Sequence, residues 1–179
     1  MIFKKTPIMG AFVVDIEPKG DERGFFARGF CQKEFQAHGL NPKIAQANIG
    51  VSRQRGTLRG LHYQVPPHAE AKLVRCTAGA VFDVIADLRP ASSSYGKWLG
   101  VELAADTHTM LYVPEGCAHG YLTLAENTEI FYLVSQFYSA GGERGLRWND
   151  PAFGIEWPIT QDLVISDKDR RWPDWSEPA

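Results

Sequence analysis

The sequence predicts an all-β fold, a sandwich or barrel of short strands with one or a few short helices. Three observations carry this prediction. Strand-length runs rich in Val, Ile, Leu, Tyr and Phe recur along the chain. Clusters of turn-forming residues separate them, and only one segment has a helical pattern.

Taken in order, the start MIFKKTPIMGAFVVDIEP is interrupted by Pro7, Gly10, Asp15 and Glu17, which makes it too broken for a signal peptide or a membrane span. AFVVDI reads as a strand and PKGDERG as a turn. CQKEFQAHGL, ending at Gly39, is the one helix of about two turns. KIAQANIGV, TLRGLHYQV, KLVRCTAGAVFDVIADL, WLGVELA, TMLYVP, HGYLTL and EIFYLVSQFY read as further strands. The breaks between them include PP, ASSSYG and PEG, with SAGGERG after the last. The tail SDKDRRWPDWSEPA reads as irregular, packed down by Trp172 and Trp175.

At 179 residues the chain is expected to form one domain, 1–179, with its own core. A net charge of −2 argues against a nucleic-acid or anionic-membrane surface, so any anionic ligand must be met by local cations. Cys31, Cys76 and Cys117 are odd in number and widely spaced, which suits a reducing cytoplasm and small buried side chains. Trp148 and Trp157 read as packing residues.

The strand faces carry functional information, because residues i and i+2 share a face. Gln46 and Asn48 oppose Ala45, Ala47 and Ile49. His62 and Gln64 oppose Leu61, Tyr63 and Val65. Tyr132, Gln136 and Tyr138 share a face with Ile130 and Val134. Solvated faces favour Lys, Glu and Thr, whereas these hold Gln, Asn, His and Tyr, so they are expected to line a polar barrel interior. Tyr132 and Tyr138 would lie about 20 Å apart along a regular strand at roughly 3.3 Å per residue. Arg59 and His62, three apart, point to opposite faces unless Gly60 forms a β-bulge or Arg59 serves a neighbouring subunit.

Pro114, Gly116 and His119 form P-x-G-x-x-H, which resembles the second metal motif of the cupins, double-stranded β-barrels. The first cupin motif needs H-x-H, and this chain has His62-Tyr63-Gln64. Two histidines fall short of the three protein ligands usual in a catalytic metal site, so no metal is expected.

DERGFF (Asp21 to Phe26), QAN, LRGLHYQ, KLVRC, PEGCAHGYLTL, RWNDP, EWP and SDKD together resemble the dTDP-4-dehydrorhamnose 3,5-epimerases over nearly the whole chain. The resemblance implies a cupin-type jelly roll, a homodimer, no cofactor, and a nucleotide-diphospho-4-keto-6-deoxysugar substrate inverted at C3 and C5. It further implies His62 as general base, Asp169 as the carboxylate orienting it, and Tyr132 as the acid on the opposite face. Lys72 and His119 match positions near the sugar and the developing oxyanion. Arg23, Gln46, Asn48, Arg59, Glu143 and Lys168 match nucleotide and diphosphate contacts, and Tyr138 the aromatic stacked on the base. Without the resemblance, Asp169 reads as part of a solvated charge run and Arg23 as a turn residue.

The chemistry suits these residue types. A proton beside a ketone is acidic because its loss gives an enolate, and histidine titrates near neutral pH. Lys72 can stabilise the oxyanion, and arginines match phosphate oxygens. Alternatives stay open: a C3- or C5-epimerase or 3,4-ketoisomerase on another nucleotide-linked sugar, a metal-dependent oxygenase, or a non-catalytic sugar-nucleotide binding module. Arg28 stands where the family's better-known members carry Glu, and Ala47 where they carry Asp. These changes leave two readings open: Arg28 turns outward or pairs with a nearby acid such as Glu22, leaving thymidine recognition intact, or it recognises a GDP- or CDP-linked sugar.

Overall fold

The computed structural model describes residues 1–176. Its first sheet runs, in spatial order, β1 (Ile2–Lys5), β2 (Phe12–Asp15), β10 (Met110–Val113), β7 (Lys72–Ala78), β12 (Thr128–Val134) and β5 (Gln46–Ser52). Its second runs β13 (Glu143–Gly145), β6 (Thr57–Gln64), β11 (Cys117–Thr123), β8 (Ala80–Asp87) and β9 (Trp98–Ala104). A hairpin of β3 (Lys19–Asp21) and β4 (Gly24–Phe26) stands apart. The strand pairs are antiparallel except β14 (Val164–Ile165), which pairs parallel with β6. Two antiparallel sheets with these crossovers make the expected jelly roll of cupin type.

The helix prediction lands on α1 (Gln32–Ala37), and Gly39 follows it with φ 71°. The tail differs from the expectation: Asp167–Arg170 form a short helix, α2, capped by Ser166, whose Oγ accepts from the Asp169 amide at 3.1 Å. Its register is set by β14, which ties Val164 and Ile165 to β6. Neither β14 nor β13 was expected, since two or three residues are too few to show a period. The run KLVRCTAGAVFDVIADL divides at Gly79 into β7 and β8.

The space between the sheets is apolar at one end, where Val74, Cys76 and Ile130 of the first sheet meet Val81, Ile85, Leu103 and Cys117. Behind the second sheet, Leu58, Leu61, Val84 and Leu122 pack against Leu146, Phe153 and Trp157. The Trp157 indole donates to the Trp148 carbonyl at 2.9 Å, consistent with packing roles for both. Trp175 packs edge-on against Phe153 and Tyr95. All three cysteines are free; Cys76 and Cys117 are buried, while Cys31 is only half-buried before α1.

β5 reverses the usual amphipathic rule. Its polar residues Gln46 and Asn48 turn toward the interior cavity, while Ile49 and Val51 on the other face are 66% and 53% exposed. The polar faces of β6 and β12 also turn inward, as expected, so the other end of the barrel is a polar cavity.

Candidate active site

The site is built on a break in β6. His119 pairs with His62 but Tyr121 pairs with Arg59, so two steps on β11 span three on β6. This is the bulge expected at Gly60, where φ is 116° and a Cβ would lie 2.6 Å from the Gly120 Cα. The extra residue resets the alternation. Leu58 and Leu61 both go to the core, and Arg59 and His62 both face the cavity.

Two adjoining cavities of about 600 and 240 Å³ share His62, Lys72 and Tyr132. His62 lies on the second sheet; Lys72 and Tyr132 lie on the first, so the base and acid candidates approach from opposite walls. His62 Nε2 lies 2.6 Å from Asp169 Oδ1. With Nε2–H donated to the carboxylate, Nδ1 carries the lone pair. Asp169 is 4% exposed, contrary to the solvated charge run that its neighbours suggest. Burial alone would raise its pKa, but the His62 hydrogen bond and charge, with the Gly60 N–H 3.3 Å from Oδ2, hold it below the ordinary value.

Lys72, 8% exposed, places Nζ 3.3 Å from Glu70 Oε1. Burial, and then the charge of Glu70, raise the Tyr132 pKa, which keeps its phenol protonated at neutral pH. His119 is buried opposite His62, with Nε2 2.8 Å from Oδ1 of Asp83. Asp83, fully buried, has an Oδ2 without a hydrogen-bond partner.

The mouth joins further predicted residues. Glu143 accepts from Lys168 Nζ at 2.6 Å and from the Tyr138 hydroxyl at 3.0 Å. The Tyr138 amide donates to Gln46 Oε1 at 2.8 Å. Asn48 lines the smaller cavity. Arg59 is braced against β5 through Ser52 Oγ at 3.3 Å and the Val51 carbonyl at 2.9 Å. β12 stops at Val134, so Tyr132 and Tyr138 do not keep the spacing of a regular strand; both line the same cavity.

Three predicted features lie elsewhere. Arg23 sits in the β3–β4 turn with its side chain 84% exposed, paired with Asp21. Arg28 is exposed and pairs with Glu34 at 3.5 Å rather than entering the cavity. Ala47 faces outward on β5, opposite to Gln46 and Asn48. Within one chain neither borders the cavities, so Arg28 follows the reading in which it turns outward and pairs with an acid, here Glu34 and not Glu22.

Sequence reading missed Asp83, Glu70, Tyr121 and Trp172. Asp83 was detectable, since it interrupts the buried run VFDVI on the face of Val81 and Ile85. Trp172 was assigned only to packing, although its indole N–H donates to Asp169 Oδ1 at 3.3 Å. Among the described residues no group of three or more His, Cys, Asp or Glu side chains is arranged to hold a metal ion.

Residues 5–177 match the model of the family described as dTDP-4-dehydrorhamnose 3,5-epimerase. The chain is 46% identical over 166 residues to the dTDP-4-dehydrorhamnose 3,5-epimerase of Shigella flexneri, covering 92% of this chain and 91% of that one. The crystal structure of the enzyme of that name from Elizabethkingia anophelis superposes with a TM-score of 0.95 at 39% identity, covering 98% and 96% of the two chains. The Bacillus anthracis enzyme, solved with TDP and PPi bound, gives 0.90 at 39% identity over 95% and 96%. On a family match spanning almost its whole length, the chain belongs to the dTDP-4-dehydrorhamnose 3,5-epimerase family.

Proposed function

We propose that the protein converts dTDP-4-dehydro-6-deoxy-D-glucose to dTDP-4-dehydro-L-rhamnose by inverting C3 and C5. The observation that carries this reading is that His62 and Tyr132 approach one cavity from opposite sheets, with Lys72 beside them. His62 Nδ1 takes the proton from the carbon beside the ketone. The C–H electron pair moves into the enolate, and the charge gathering on O4 is met by Lys72. Tyr132 then delivers its proton to the opposite face of the same carbon, which inverts it. Solvent reloads the phenolate and takes the proton from the imidazolium, so the cycle is redox-neutral and can repeat at the second carbon. Arg59 and Lys168 suit the diphosphate, and Tyr138, Gln46 and Asn48 suit the base.

A homodimer completes the proposal. Support comes from the exposed apolar face of β5 and from Phe25 and Phe26 on the hairpin, the latter 74% exposed. A second copy against these faces would let Arg23 serve its partner's cavity. A cytoplasmic location is supported by the three unpaired cysteines, and no helix among the described residues is long and apolar enough to cross a membrane.

The test is incubation with dTDP-4-dehydro-6-deoxy-D-glucose in deuterium oxide, followed by NMR. Deuterium at both C3 and C5 with an inverted product is expected. Label at one carbon only would redirect the reading to a mono-epimerase, and a shifted carbonyl to a ketoisomerase.

A further inference from the structure

Gly145 is the direct cross-strand partner of His62. Cross-strand partners present their side chains to the same face of a sheet, so the missing side chain of Gly145 leaves room beside the His62 ring. The Trp172 indole fills it: a Cβ at Gly145 would lie 2.4 Å from both Cδ2 and Cε2 of that indole. From this seat the indole stands edge-on to His62, with centroids 6.1 Å apart and planes at 66°. Its Nε1–H donates to Asp169 Oδ1 at 3.3 Å, the same oxygen that His62 Nε2 approaches to 2.6 Å. Lys168 Nζ lies over the ring, 5.7 Å from its centroid.

We propose that Trp172 is a positioning residue for the His62–Asp169 pair, seated by Gly145, and that it sets the basicity of His62 by sharing Asp169 Oδ1. The proposal rests on His62 acting as the base. An indole N–H is donor only, so it cannot take the proton; it can only draw charge from the carboxylate oxygen and fix that oxygen's direction. Two donors on one carboxylate oxygen divide its charge. Removing one leaves the carboxylate a stronger partner for the imidazolium and raises the pH at which His62 deprotonates.

Other ionisable groups surround His62. They are Asp169 and Lys168 of α2, Glu143 of β13, Lys72 of β7, His119 of β11 and Tyr132 of β12, with Arg59, Glu70, Tyr63, Tyr121 and Tyr138 lining the same cavities. Lys168 also lies against the indole ring, so the variant that isolates the N–H is one that keeps an aromatic ring there.

The test is NMR titration of the His62 ring in the full-length protein and in Trp172→Phe, which keeps an aromatic ring over Gly145 and removes the donor. The His62 midpoint should rise by about half a pH unit, and the acid limb of kcat/KM for C–H exchange should move with it. A His62 midpoint that is unchanged or lower in folded Trp172→Phe overturns the proposal, whatever happens to thermal stability. Should Trp172→Phe fail to fold, Gly145→Ala carries the same expectation by pushing the indole away from Asp169. The ring titration needs no turnover, so an inactive wild-type protein would sink the epimerase reading while leaving the indole's effect on His62 measurable.

Discussion

His62 and His119 are direct cross-strand partners on β6 and β11, yet each ring is held by a different buried carboxylate. Asp169 reaches His62 from α2 at 2.6 Å, and Asp83 reaches His119 from β8 at 2.8 Å. One histidine faces the cavity with a free Nδ1 while the other is nearly closed off in the wall. An accessible Nδ1 suits a base that must meet a C–H bond, whereas Asp83 engages Nε2 of His119 and fixes that ring in the wall.

His62→Ala should lower exchange at both carbons by about 10²- to 10⁴-fold, the usual contribution of a positioned base. Chelator treatment of the wild-type protein should leave exchange intact. Full exchange by the variant, or its loss on chelation, would remove His62 from this role.

Tyr132→Phe should separate proton removal from inversion. Deuterium wash-in continues, because His62 can still return a proton to the face from which it came, while net inversion falls. The check is the ratio of label incorporated to product inverted; an unchanged ratio would mean another group is the acid.

Acid stability should depend on Asp87. Burial alone would raise its pKa, but Arg89, Ser92 and Ser94 outweigh this and bring it from 3.8 to about 2. A depressed carboxylate pKa contributes stability above the unfolded value, and that stability is lost as pH falls toward the folded one. The window is therefore about pH 4 down to 2, and the contribution is about 2 kcal/mol. Asp87→Asn should be less stable at pH 7 and show a flatter stability profile across that window in denaturant titrations.

Val51→Asp should shift the protein from dimer to monomer in light scattering and weaken nucleotide-sugar binding with it, since Val51 is exposed and lines neither cavity. Burying an exposed Val is worth about 1.5–3 kcal/mol, and a carboxylate in its place would be desolvated. A wild-type protein that is monomeric at micromolar concentration contradicts the proposed second copy.

Arg28→Glu should leave dTDP tighter than GDP and CDP in calorimetry, since Arg28 pairs with Glu34 away from the cavity. A changed ranking would place Arg28 at a nucleotide, which in this geometry requires the partner's site.

The strands and their inward faces were legible in local sequence, because a period of two survives in seven or eight residues such as those of β5, β6 and β12. The bulge was legible too, since Arg59 and His62 can share a face only if Gly60 breaks the alternation. The motifs from LRGLHYQ to SDKD were enough to indicate the family. Local sequence left Asp169 as an ordinary surface carboxylate, because nothing in DKDRR records burial. That burial comes from β14 pairing parallel with β6, a contact between residues more than a hundred positions apart. The same holds for Asp83 meeting His119 and for Trp172 filling the space beside Gly145. The outward apolar face of β5 inverted the usual expectation, because the inward face is set by the polar cavity. Periodicity tells which residues share a face; which face is buried, and what lies across it, is decided by long-range packing of the two sheets.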